Sequence, residues 1–215
     1  MSNLPATHSS SPHDPVARAT ELIQLFCTPV DRFGILQSVG PDEVPQPWRH
    51  LLDHQSHMTV AMERFHRVPV GLKVISHCAE TLTADREAAD ADWYAREILL
   101  LDPLGRVVQY GVVRLDIRQL SASTLTAVLA AKIPLGRILI AAGVLLEVQR
   151  VQLLRVDPGP HLGGLLSGDS QRPATSTSSE WGQTFGRVAT ILLAGQPAVE
   201  LLEIVAPLTN EGGGS

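Results

Sequence analysis

Six runs rich in Val, Ile and Leu and bounded by glycine or proline constrain this chain most, at 68–76, 95–101, 106–116, 148–156, 186–193 and 198–205. Such runs read as strands. The turns DPLG at 102–105 and AGQP at 194–197 join neighbouring runs too briefly for a crossover, so those strands return antiparallel. Between them lie helical stretches at 123–132, 135–142 and 160–166. Asp14 and Pro15 cap and open another helix that extends to about Phe26, and Trp48 to Asp53 reads as a short one. The expected fold is α+β: an antiparallel sheet of about six strands with helices on one face.

The organisation follows from local composition. Residues 1–13 form a polar lead-in expected to be disordered, 14–207 one domain, and 208–215 a flexible tail. The Ser/Thr-rich stretch 168–182 is expected to be a mobile loop inserted between two core elements. The 17 basic and 22 acidic residues leave a formal charge of −5, which offers no attraction for a phosphate backbone, so no nucleic-acid partner is expected. The longest apolar stretch, 138–146, has nine residues, against the roughly twenty of a spanning helix. No membrane span is expected. The start of the chain lacks the pattern of a secretory leader, and Cys27 and Cys78 have no metal or redox spacing, so a cytoplasmic location is expected. A monomer and a homodimer are both compatible with the open sheet edges.

Three phrases place polar groups inside apolar runs. In WYAREILLLD, strand alternation puts Arg96, Ile98 and Leu100 on one face. An arginine there is held either by an internal carboxylate or by the sheet edge, or it meets the carboxylate of a ligand through its forked donors. In GQPAVELLEIVAP, Glu203 stands in a run otherwise built from Val, Leu and Ile, and a carboxyl desolvated this way titrates higher, towards the range useful for proton transfer. Glu200, three residues away, points to the opposite face of a regular strand. In KIPLGRILI, Pro134 ends the preceding conformation and opens a helix whose first amides lack internal partners. His50, His54 and His57 raise a zinc question, but they have no His-Glu-x-x-His core, so no metal is expected.

Together with SHMT at 56–59 and FGR at 185–187, and in this order, these phrases resemble the chorismate pyruvate-lyase family over about Trp48 to Pro207. The wording is most similar to the actinobacterial and cyanobacterial type. The resemblance implies a closed internal ligand pocket and cofactor-free conversion of chorismate to 4-hydroxybenzoate and pyruvate. It assigns catalysis to Glu203 and Arg96, and substrate binding to the backbone at Met58 and Leu135 and to the side chains of Arg96 and Glu203. The proteobacterial enzymes carry an arginine directly after the glycine matching Gly111. Here Val112 stands there and Arg114 follows two residues later on the same face, which makes Arg114 a further binding expectation. The approach to Glu203 is one residue longer than in that type, which keeps Glu200 as a minor alternative. The second functional expectation is a non-catalytic module of the same fold that binds an aromatic carboxylate as a sensor. A sensor fused to a DNA reader needs a helix-turn-helix, and the residues before Trp48 contain one helix and no basic recognition helix.

Overall fold

In the computed structural model, described over residues 14–80, 93–143, 146–168 and 181–207, seven antiparallel strands form one open sheet. The strands are β1 (Gly34–Val39), β2 (Gly71–Glu80), β3 (Trp93–Leu101), β4 (Val107–Asp116), β5 (Leu146–Pro158), β6 (Thr184–Leu193) and β7 (Gln196–Val205), in the spatial order β1-β5-β6-β7-β4-β3-β2. Among the described residues there are six α-helices: α1 (Pro15–Gln24), α2 (Trp48–Leu52), α3 (Met58–His66), α4 (Ala122–Leu129), α5 (Leu135–Ala141) and α6 (Pro160–Ser167). The expected lead-in 1–13, the tail 208–215 and residues 169–180 of the expected loop lie outside the described residues.

Asp14 caps α1 as its sequence requires, accepting a bond from the Val16 amide at 3.0 Å, with Pro15 in the first turn. The β3–β4 turn is fastened by Asp102, whose carboxylate accepts bonds from the amides of Leu104 and Arg106 and from Arg106 Nε. These contacts outweigh the effect of burial, which alone pushes an acid up, and hold the Asp102 carboxyl below its usual value.

Two expectations are corrected. The sheet has a seventh strand, β1, on its edge, and helices cover both faces rather than one. Leu99, Tyr110, Val112, Val188, Leu202 and Ile204 share a core with Ala19, Leu22 and Ile23 of α1 and Leu162 of α6. On the opposite face Ile98, Leu100, Val113, Leu115, Ala189 and Leu201 pack with Leu52, Met62, Val128 and Leu139 from α2 to α5. Coverage of both faces explains why the central strands read as continuous apolar runs. In β3 every residue from Tyr94 to Leu100 is buried, whichever face it points to.

Candidate functional site

On the α2–α5 face, strand register assembles one polar row across the sheet. Ile98 of β3 pairs with Gly111 of β4, Gly111 with Glu203 of β7, and Glu203 with Arg187 of β6. Gly111 keeps the row low: a Cβ there would lie 3.3 Å from Ile98 Cγ1. Over the row lies a cavity of about 40 Å³, roofed by Ser56 to Thr59 at the start of α3 and by Pro134 to Gly136 at the start of α5. Its floor includes Ile98, Leu100, Gln109, Val113, Arg187 and Glu203.

Arg187 organises this cavity. It is fully buried, and its Nε donates to Glu203 Oε2 at 2.7 Å. Its other nitrogens donate to three carbonyls of the chain from the end of α2 towards α3: Nη1 to Leu52 O at 3.2 Å and His54 O at 2.8 Å, and Nη2 to Ser56 O at 3.1 Å. One planar guanidinium thus ties β7, through a carboxylate, to the chain that leads into α3. The phrase FGR by itself gives Arg187 no role. Only the cross-strand register shows that it faces Glu203.

The expected site residues separate into three groups. Met58, Leu135 and Glu203 meet at the cavity. Arg96 stands beside it on the same face, as the direct partner of Val113 and two residues along from Ile98, both cavity residues. Arg114 and Glu200 pair with each other at 3.5 Å on the opposite face, where Arg114 also lies over the Trp93 ring at 4.4 Å. The expectation that Arg114 contacts the ligand of this cavity is therefore corrected: same-face alternation with Val112 carries it to the α1–α6 side. Glu200 points outward and Glu203 inward, as alternation requires.

Arg96 differs from Arg187 in its surroundings. It is also fully buried, yet its Nη1 reaches only Val128 O at 3.4 Å, and its Nε and Nη2 have no hydrogen-bond partner among the described residues. Burial pushes its guanidinium below the usual value, with Tyr94 acting in the opposite sense. The expected internal carboxylate for Arg96 is not among its partners. His54 and His57 at the roof are both pushed down by burial; at His57 Glu203 counters this and Arg187 adds to it, whereas at His54 Arg187 reinforces it. Both imidazoles are neutral at neutral pH. His54 Nδ1 accepts a bond from the Ser56 amide at 3.0 Å.

Glu203 does not stand alone in its apolar run. Instead it is held in a charge pair, which suits positioning better than proton transfer.

No family model matches the sequence, and no curated protein matches it. Solved structures similar to it include the effector domain of PhnF from Mycobacterium smegmatis, 12% identical with a TM-score of 0.49 over 79% of this chain and 91% of that one. The C-terminal domain of the histidine utilization repressor from Pseudomonas syringae pv. tomato is 13% identical with a TM-score of 0.45, over 68% of this chain and 99% of that one. The possible transcriptional regulator YydK from Bacillus subtilis is 13% identical with a TM-score of 0.44 over 67% of this chain, which spans 62% of that one. The similar structures named here are regulators and their effector domains, not lyases, and the expectation of an enzyme is corrected on this finding. Among the described residues no helix is long and apolar enough to cross a membrane.

Proposed function

We propose that the cavity under α3 and α5 binds a small aromatic carboxylate and that the chain acts as a ligand-binding module without turning the ligand over. The observation that carries this is Arg96: a guanidinium with no exposure and two nitrogens without partners, beside a cavity whose own charges, Arg187 and Glu203, are already paired with each other. A buried cation left this way opposes folding, because its desolvation is not offset by a counter-charge. A ligand carboxylate supplies that charge and accepts from both nitrogens, the fork matching the two oxygens. The aliphatic cavity wall of Ile98, Leu100, Val113 and Leu201 suits the ring. In this reading Met58 and Leu135 close over the ligand, and Glu203, fixed by Arg187, orients its polar edge.

At about 40 Å³ the cavity is far smaller than the roughly 150 Å³ that takes up a benzene ring. Binding therefore separates the starts of α3 and α5 from the sheet, and association is gated by that opening. Calorimetric titration of 4-hydroxybenzoate into the wild-type chain and the Arg96→Met and Arg96→Lys variants tests the proposal. The wild type binds. Arg96→Met loses at least about tenfold in affinity while its melting temperature holds or rises, since an unpaired buried charge has been replaced by an apolar side chain of similar length. Absence of binding by the wild type at millimolar ligand, or equal affinity in Arg96→Met, overturns the assignment.

A further inference from the structure

Resting on that reading of the site, we propose that Gln109 selects ligands that carry a hydrogen-bond donor on the part of the ring away from the carboxylate. Gln109 is 2% exposed and lies on the cavity floor. Its Oε1 is the one buried side-chain oxygen without a hydrogen-bond partner among the described residues; the other unpartnered buried atoms are nitrogens. The cross-strand partners of Gln109 are Leu100 and Val205, which offer its amide no polar side chain. A buried acceptor in apolar company discriminates by its own loss: a ligand without a donor leaves it desolvated and unpaired.

The register also fixes where that donor sits. Arg96 pairs with Val113, and Gln109 pairs with Leu100, on the same face and on opposite sides of the row through Ile98, Gly111 and Glu203. Four residues along β3 separate the two positions, about 13 Å between Cα atoms at roughly 3.3 Å per residue. Gly111, with no side chain, leaves the floor between them open to a ring. A ligand that satisfies both ends carries its acid and its donor at opposed ring positions, as a para-hydroxy or para-amino benzoate does. A hydroxyl adjacent to the carboxylate reaches only the Arg96 end.

The test is a binding panel of 4-hydroxybenzoate, 4-aminobenzoate, 4-methylbenzoate and 2-hydroxybenzoate against the wild-type chain and Gln109→Met. The wild type prefers the two para-donor acids over 4-methylbenzoate by at least about tenfold, the scale of one buried hydrogen bond, and holds 2-hydroxybenzoate no better than 4-methylbenzoate. Gln109→Met loses this preference, its affinities for 4-hydroxybenzoate and 4-methylbenzoate coming within about threefold of each other. Equal wild-type binding of 4-hydroxybenzoate and 4-methylbenzoate overturns the role of Gln109 and leaves the Arg96 site standing. An equal loss of every acid in Gln109→Met shows a structural role and also overturns it. If no acid binds the wild type, the site reading fails and this inference falls with it. If the variant does not fold, equal wild-type binding of 4-hydroxybenzoate and 4-methylbenzoate still overturns the inference.

Discussion

Replacing Arg187 by methionine removes a fully buried guanidinium together with the partner of Glu203, an acid whose side chain is 11% exposed. Breaking a buried pair by deleting one member costs about 3–5 kcal/mol, because the remaining charge has neither water nor a counter-ion. Arg187 also donates to the carbonyls of Leu52, His54 and Ser56. Ser56 is exposed and His54 half-buried, so water replaces part of those bonds and the main loss stays with Glu203. Against a domain stability of about 5–15 kcal/mol, the variant loses about a fifth or more. Arg187→Met/Glu203→Met removes both charges and recovers part of the loss, giving a coupling of about 2 kcal/mol or more in a double-mutant cycle. Urea unfolding followed by the fluorescence of the chain's three tryptophans measures all four corners of the cycle. A cost below about 1 kcal/mol for Arg187→Met, or additivity of the two single changes, refutes the claim that this pair is a desolvated interaction.

Further outcomes follow from other parts of the molecule. Arg114→Ala leaves binding of aromatic acids unchanged and costs about 1 kcal/mol at most, since its pair with Glu200 is partly exposed and on the far face; a binding loss in calorimetry refutes that placement. Gly163→Ala puts a Cβ 2.3 Å from the Trp181 ring and costs about 1–3 kcal/mol unless the indole moves, so an unchanged melting temperature together with unchanged tryptophan emission contradicts the packing of Trp181 on α6. His54, His57 and His66 are all held below their usual value, by burial first. The unfolded chain therefore takes up their protons more readily, and stability falls as pH descends through about 6.5 towards the folded-state values, below which the loss is complete. At Asp102 and Asp116 hydrogen bonds and arginine partners outweigh burial and depress the carboxyls, so their contribution holds above about pH 3.9 and is lost below it. A urea midpoint that stays flat from pH 7.5 to 5 refutes the histidine part of this profile.

Local rules made much of the architecture legible. The Asp14–Pro15 start of α1 and the Asp102 turn follow from single residues acting on neighbouring backbone. Strand β1 was not legible because Ile35, Gln37 and Ser38 are exposed on an edge, which leaves its sequence half polar and without a continuous apolar run. Helix α3 carries its period in Met58, Ala61, Met62 and Phe65, but the spacing of the preceding histidines draws the eye to metal chemistry instead. Which face a helix covers is decided by long-range packing. The sequence of α6 contains nothing that assigns it to Tyr110 and Leu202 rather than to Leu201.

The same limit separates the legible part of the candidate site from the rest. Alternation along one strand is enough to place Glu203 inside and Glu200 outside, or to put Arg96 on the row of Ile98. It says nothing about the residue across the ladder, and the chemistry of a buried charge is decided there. Glu203 faces Arg187 and becomes half of a pair, whereas Arg96 stands between Val113 and His77, neither of them a carboxylate, and keeps two nitrogens without partners. Two arginines of equal burial on one sheet face thus differ in their partners: Arg187 fastens the chain that leads into α3, and Arg96 keeps the unpartnered nitrogens on which the proposed ligand site rests. If Arg96 is the ligand's counter-charge, the wild-type chain gains more thermal stability from 4-hydroxybenzoate than Arg96→Met does, while the free variant melts no lower than the free wild type.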